Sequence, residues 1–340
     1  MAPVSGALFV IVNGPPGSGK STLARLVAVD HLCQLIERLG HTSSIRCRAP
    51  GRRIFPGRWP GRGLWSGAVR TDPVEMHYSR GGLMESILDG LAESGHDPDD
   101  LAADDLATFE EFHTFGRAAT IALADAAEIS KDDRVLDVGS GIGGPARLLA
   151  RTYGCQVVGI DLTEEFCCVA TDLTKRVGLS DQVEIRRGDA LDMPFVDAEF
   201  SVVWTQHVSM NIADKPRLYN EMRRVVPTGG RLAFFDILAG PTQPIHFPVP
   251  WAADERVSFL ASALETQAMM AAAGFRTQLW EDTTAEALEF YIGMNMATPS
   301  KPPSLGLHLI ISNMGEKAAN LRRNVEEGRI IVVRCVAEAV

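Results

Sequence analysis

The segment that most restricts the fold runs from Val135 to Ala146, VLDVGSGIGGPA in one-letter code. A short apolar run meets four glycines (139, 141, 143 and 144) and is followed by a helical pattern opened by Pro145. The run is too short for a helix and the glycines end it, so it reads as a buried strand, a tight turn and a helix. Gly139, Gly141 and Gly144 keep the G-x-G-x-x-G spacing, in which the turn lets backbone N–H groups approach a ligand closely. Similar runs recur downstream and predict seven strands, at Arg134–Val138, Gln156–Asp161, Val183–Arg187, Phe200–Thr205, Arg231–Ile237, Arg276–Glu281 and Ile330–Val336. Most are continuous rather than alternating, as expected of a mostly parallel sheet covered by helices on both faces. The expectation is an α/β, doubly wound seven-stranded sheet. A helical pattern at 104–128 (Leu106, Phe109, Phe112, Ala119, Leu123, Ala126) precedes it, and a proline-rich stretch at 239–262 interrupts it.

Four strand ends carry polar chemistry. Asp161 closes the second strand, where a carboxylate can accept both hydroxyls of a ribose; with the glycine spacing alone, that suggests a nicotinamide dinucleotide and an oxidoreductase. Asp137, two residues before Gly139, shifts the reading, because an acid there repels a pyrophosphate but suits the sulfonium and ammonium of S-adenosylmethionine. Asp189, after the third strand, can accept an adenine amine beside the apolar wall of Met193 and Phe195. The fourth strand delivers Thr205, Gln206 and His207 to the carboxyl edge of the sheet, the usual place for sites in open α/β layers.

Taken together, Val135–Ala150, Val158–Thr163, Gly188–Phe195, Val203–Lys215 and Val225–Asp236 resemble the class I S-adenosylmethionine-dependent methyltransferases over essentially all of residues 72–340. The likeness is to bacterial small-molecule enzymes of the ubiquinone/menaquinone-biosynthesis and sarcosine/dimethylglycine kinds. The resemblance implies a Rossmann-like fold with a lid at 72–128 and a cap at 239–275. It also implies S-adenosyl-L-methionine as cofactor, no metal, and methyl transfer to N, O or C of a small molecule by in-line displacement. It places Gly139, Ser140 and Gly141 on the methionine part, Asp161 with Leu162 at the ribose, and Asp189 with Ala190 at the adenine; Asp137 and Thr205 complete the cofactor set. His207, with Gln206 beside it, is the leading candidate to touch the acceptor or the methionine end; a hydrogen-bonded wall residue is the alternative. Tyr78 resembles a lid tyrosine closing over the methyl group, with core packing as the other reading. His113 and Arg117 are expected on one helix face at i, i+4, either reaching the cofactor carboxylate or serving as solvated or capping groups. Trp251, Phe247 and Phe259 in the cap either wall an acceptor pocket or simply pack. The related phosphoethanolamine methyltransferases pair a lid tyrosine with a histidine where this chain has Asn211, a departure that weighs against a phosphobase acceptor.

The N-terminus is of another character. Residues 1–70 carry ten basic and two acidic side chains, against 23 and 41 in residues 71–340. Gly14–Ser21 matches G-x-x-x-x-G-K-[ST] after the apolar run Leu8–Val12 and before a helical pattern through Leu39. In that motif Gly14 and Gly19 wrap a phosphate, Lys20 reaches its outer oxygens and Ser21 holds Mg²⁺. This resembles the opening of small P-loop kinases and offers an alternative function as an ATP-dependent kinase or NTPase. Residues 46–70 hold seven Arg, five Gly, three Pro and two Trp, with no acid between Glu37 and Asp72, so the strands that would complete such a domain do not follow. The expected organisation is an incomplete P-loop-like fragment at 1–45, a disordered basic linker (or GC-rich DNA read out of frame) at 46–71, and the methyltransferase-like domain at 72–340. The acidic domain disfavours a specific nucleic-acid partner. No apolar run reaches membrane-spanning length, and six cysteines without ligand-like spacing point to a reduced, cytoplasmic protein.

Overall fold

The computed structural model describes residues 9–13, 21–25, 73–78, 81–293 and 304–340. The chain divides into two compact units, Met1–Ala68 and Val69–Val340. In the first, β1 (Phe9–Asn13) pairs antiparallel with β2 (Ser21–Arg25), Asn13 opposite Ser21 and Phe9 opposite Arg25. The helix expected after Ser21 therefore begins as a strand, whose backbone groups are satisfied by a ladder instead of by helical turns. Gly14, Gly19, Lys20 and the basic linker lie outside the described residues.

In the second unit, β3 (Arg134–Val138), β4 (Gln156–Asp161), β5 (Val183–Arg187), β6 (Val202–Gln206), β7 (Arg231–Ala239), β8 (Phe275–Asp282) and β9 (Ile330–Ala339) form one sheet in the order β5-β4-β3-β6-β7-β9-β8. Pairing is parallel from β5 to β7, while β9 runs antiparallel to both β7 and β8. The chain order reverses between β3 and β6, which leaves a crevice above the carboxyl ends at that point. β6 starts two residues later than expected and carries Gln206 inside the strand.

Helices cover both faces: α1 (Pro73–Tyr78), α2 (Leu83–Glu93), α3 (Arg117–Ala126), α4 (Gly144–Tyr153), α5 (Glu164–Arg176), α6 (Lys215–Arg224), α7 (Ala263–Ala272), α8 (Thr284–Gly293) and α9 (Met314–Glu326). Alternation along the strands sorts the core into two layers. Val135, Trp204, Ala233 and Phe235 face α3, α4 and the cap residues Val249 and Trp251. Leu136, Val203, Leu232 and Phe234 face the side of Leu218, Met222 and Met270. Trp204, Phe235, Leu136 and Leu149 are essentially inaccessible, and a fully buried side chain of this size stabilises by about 1.5–3 kcal/mol.

The continuous helix expected at 104–128 is not formed. A 3₁₀ turn at Ala103–Leu106 is followed by an irregular passage to Gly116, and only then does α3 begin. Phe115 (φ 65°) and Gly116 (φ 51°) adopt positive-φ backbone, which an α-helix cannot accommodate. The break leads residues 107–117 across the top of the sheet. Glu110 makes the closest approach there: a methyl group on Gly144 would lie 2.2 Å from its carbonyl oxygen.

Candidate functional site

A cavity of about 770 Å³ opens above the carboxyl ends of the central strands. At one end the turn after β3 is held by the neighbouring strand, since Gly139 and Ser140 both donate backbone N–H to Ile160 O (2.8 and 2.9 Å). Gly139 has φ 73°, and a Cβ there would meet Val208 Cγ2 at 2.3 Å; Gly141 has φ 53°, with Phe112 Cζ 2.5 Å from the same construction. No other residue type fits at either position without displacing the wall. Asp161 at the tip of β4 accepts Gly141 N–H on one oxygen (2.9 Å) and Thr163 N–H on the other (2.8 Å). The carboxylate keeps lone-pair capacity for a ligand hydroxyl.

The field at this end is negative. Burial, then the charges of Asp161 and Glu111, push the Asp137 carboxyl up to about 8, and one of its oxygens lacks a hydrogen-bond partner. Burial also raises Asp161, against the backbone hydrogen bonds from Thr163 and Gly141 that favour its charged form. A buried acid raised by the charges of its neighbours is relieved by a cation.

Gly139, Ser140, Gly141, Asp161, Leu162, Asp189 and Ala190 all line the cavity. Asp189 is exposed and uses one carboxylate oxygen to accept Leu191 N–H (2.8 Å). Asp137 and Thr205 are not in the wall. Both are strand residues buried within the layers beneath it, and the Thr205 hydroxyl lacks a partner.

Tyr78, Gln206 and His207 also line the cavity. The Tyr78 hydroxyl donates to Asn211 Oδ1 (3.1 Å), while Asn211 Nδ2 donates to the carbonyls of Trp251 (2.9 Å) and Val257 (2.7 Å). One amide thus ties the lid tyrosine to the cap. Burial, then the charge of Asp161, raises the Tyr78 phenol, so it remains a hydrogen-bond donor. His207 takes φ 53° as β6 turns away and donates its backbone N–H to Phe235 O (2.8 Å). Its ring stacks on Phe235 at 5.3 Å and meets the edge of His113 at 5.9 Å. Burial and His113 hold the imidazole well below its ordinary value, so it is neutral at pH 7.

His113 and Arg117 do not share a helix face: His113 lies in the irregular passage and Arg117 is the first residue of α3. Arg117 is ion-paired to Asp104 (2.7 Å) and Glu110 (2.6 Å), and His113 Nε2 lies 3.1 Å from Glu111 Oε2. No motif marks Glu110 or Glu111, yet the broken helix brings both into the wall. The rest of the cavity is mostly apolar, with Met210, Ile237, Trp251, Phe259, Phe290 and Leu321 among its residues and Asp214 and Arg256 as charged exceptions. Trp251 is buried and donates Nε1–H to Ser258 Oγ (3.0 Å). Phe247 packs against the core outside the cavity.

Comparison with known proteins agrees with this geometry. The family model for a methyltransferase domain matches residues 136–234, from β3 into β7. The glycine/sarcosine/dimethylglycine N-methyltransferase of Actinopolyspora halophila is 35% identical over 130 residues, 38% of this chain and 23% of that protein. Methyltransferase GfsG of Streptomyces halstedii is 32% identical over 160 residues, 47% and 55% of the two chains. The chain therefore spans about a quarter to a half of the length of these relatives. Among solved structures, geranyl diphosphate C-methyltransferase from Streptomyces coelicolor A3(2), bound to Mg²⁺, geranyl diphosphate and S-adenosyl-L-homocysteine, superposes with a TM-score of 0.57 at 19% identity. That match covers 79% of this chain and 99% of the other. Residues 136–234 are a methyltransferase domain, and the seven-stranded sheet is the Rossmann-like fold of the class I S-adenosylmethionine-dependent methyltransferases.

The residues present suit S-adenosylmethionine. The buried acid pair favours its positive charges, the turn at Gly139–Gly141 leaves space that a Cβ would fill, and Asp161 keeps lone pairs at the strand tip where a ribose lies in such folds. A dinucleotide pyrophosphate would meet the same acids unfavourably. Among the described residues, no three His, Cys, Asp or Glu side chains come together to hold a metal, and no helix is long and apolar enough to cross a membrane.

Proposed function

We propose that the domain from residue 72 to 340 transfers a methyl group from S-adenosylmethionine to a nucleophile on a small, largely apolar molecule. The observation that carries this reading is the continuity of the cavity: a negative, glycine-turned end leads without interruption into an apolar end large enough for a second molecule. In this proposal Gly139, Ser140 and Gly141 receive the methionine part, Asp161 and Leu162 the ribose, and Asp189 and Ala190 the adenine. Asp137 acts from behind the turn, giving up its proton when the cation binds. Tyr78, Gln206 and His207 face the reacting centre. The bound cofactor supplies an activated methyl group on a sulfonium.

The chain's part is alignment and exclusion of water, the main requirements of in-line displacement at an activated carbon. Tyr78, fixed by Asn211, closes the lid side, and the His207–Phe235 stack forms the floor. The apolar acceptor half favours a hydrophobic body, and Asn211 in place of a histidine disfavours a phosphobase. The geranyl diphosphate enzyme shows that this fold holds an isoprenoid acceptor in another protein. The same reading takes residues 1–45 and 46–71 as outside the catalytic domain and the protein as cytoplasmic.

Isothermal titration with S-adenosylmethionine tests it. Wild type binds with a saturable heat, and Asp161→Ala loses about 1.5–3 kcal/mol by removing a charge-assisted contact. Absence of binding by wild type removes the proposal.

A further inference from the structure

Behind the cavity wall lie two buried ionisable groups that the preceding reading leaves unused, Lys215 at the start of α6 and Asp236 within β7. Neither lines the cavity, and they are 5% and 2% exposed. Both direct hydrogen bonds to the short 3₁₀ turn at Ser209–Asn211, which follows β6. Lys215 Nζ donates to Ser209 O (2.6 Å) and Ile212 O (2.9 Å), while Asp236 Oδ2 accepts the Ser209 N–H (3.0 Å). Ser209 is therefore gripped at both of its backbone polar groups. Each ion also supports the other: burial pushes the Lys215 ammonium down to about 8 and raises Asp236, whereas their opposite charges favour the ionised form of each. Tyr219, one turn along α6, is raised by burial and by Asp236, so it stands beside the pair as a neutral phenol.

The gripped turn is where lid and cap meet. Met210 O accepts Phe259 N–H (2.7 Å), and Asn211 carries the bonds to Trp251, Val257 and Tyr78 described above. A 3₁₀ turn of three residues closes few bonds of its own and leaves its remaining polar groups to outside partners. Water would satisfy those groups without fixing them. A buried ammonium and carboxylate, whose desolvation is offset only by well-placed partners, hold them in one position. We propose that Lys215 and Asp236 are positioning residues for methyl transfer, setting the Ser209–Asn211 turn so that Asn211 locks Tyr78 over the bound cofactor. This rests on the methyltransferase reading above. The effect passes from the ion pair to the turn, and from Asn211 Oδ1 to the Tyr78 phenol, which lies near enough to Asp161 to be raised by its charge. Loosening the pair leaves the glycine turn in place but lets the lid open more often, so the cofactor product escapes faster.

The test uses the full chain carrying 3-fluorotyrosine at its four tyrosines, with Tyr78 assigned in the fluorine NMR spectrum by Tyr78→Phe. In Lys215→Met the Tyr78 resonance is expected to move toward its position in Asn211→Ala, while that of Tyr153, whose phenol donates to Asp125 on α3, stays in place. Release of tritiated S-adenosyl-L-homocysteine into an excess of the unlabelled compound gives the second readout. It should quicken about fivefold in Lys215→Met, Asp236→Asn and Tyr78→Phe, the loss of roughly one hydrogen bond. Combining Tyr78→Phe with either of the other two should be no faster than the quicker parent, because both changes break one connection. Asp236→Asn keeps an oxygen for the Ser209 N–H and alters only the charge, so it carries both readouts where Lys215→Met does not fold. The proposal is overturned by an unmoved Tyr78 resonance or by release indifferent to Tyr78→Phe. Effects that multiply in the double variants also overturn it, leaving the pair as support for buried backbone alone. Failure of wild type to bind homocysteine removes the methyltransferase reading, whereas the Tyr78 resonance of the free protein then still tests the grip on the turn.

Discussion

The two ends of the cavity are built on opposite principles. The glycine end is made from consecutive residues at strand tips, and its tolerances are set by backbone: Gly139 and Gly141 have positive φ, and Val208 and Phe112 occupy the space a side chain would need. The apolar end is made from side chains of the cap, α8, α9 and the passage before α3, which meet only in three dimensions. One end is damaged by adding a methyl group, the other by taking side-chain volume away.

The largest effect is expected at the apolar end. Trp251→Ala should cost about 3–5 kcal/mol of stability, as a buried aromatic truncation does. Chemical denaturation reads the loss, and the protein that remains folded should still bind S-adenosyl-L-homocysteine. Equal losses of stability and affinity would show that the two ends are one mechanical unit. Gly139→Ala is the converse case, costing about 1–3 kcal/mol through crowding at Val208 and weakening S-adenosyl-L-homocysteine binding by more than tenfold in calorimetry. Retention of wild-type affinity would show that the turn relaxes freely.

Asn211→Ala sharpens the boundary between the ends, because it frees the Tyr78 hydroxyl and two cap carbonyls at once. A loss of about 1–3 kcal/mol in denaturation is expected, with faster amide exchange in the cap and little change at the glycine turn.

A further effect is in protons. Asp137 is raised to about 8 when folded, far above its unfolded value, so between about pH 4 and 8 the native state holds a proton that the unfolded state has released. Stability of the free protein should therefore fall as pH rises through that window, and Asp137→Asn should flatten the profile. Binding of a cation at neutral pH should expel up to about one proton. Titration in buffers of different ionisation enthalpy detects that release, and its persistence in Asp137→Asn would place the acid elsewhere.

How much of this was legible in the sequence follows from the same contrast. The strands from β3 to β5 stand where the sequence pattern puts them, β3 and β4 on short apolar runs and β5 on the alternation of Val183 and Ile185 with charged residues, and Gly139, Gly141 and Asp161 were readable because a turn at a strand tip uses neighbours in sequence. The helix expected at 104–128 failed because apolar periodicity does not register Phe115 and Gly116 at positive φ. That failure hid Glu111, which becomes a wall residue only when the passage crosses the sheet. His113 and Arg117 were paired by helical spacing and are separated by the same break. Likewise, the segment after Ser21 has a helical pattern, yet Ser21–Arg25 pairs as a strand.

What the sequence determined by itself is the parallel core and the negative, glycine-turned end of the cavity, because both depend on local backbone freedom and on apolar period. Only the tertiary structure decided that β9 inserts between β7 and β8, that Asn211 joins lid to cap, and that Glu111 and Gln206 share the Thr120 hydroxyl. Those contacts join residues far apart in the chain, and their energy comes from burial and hydrogen bonding that exist only once the segments have packed.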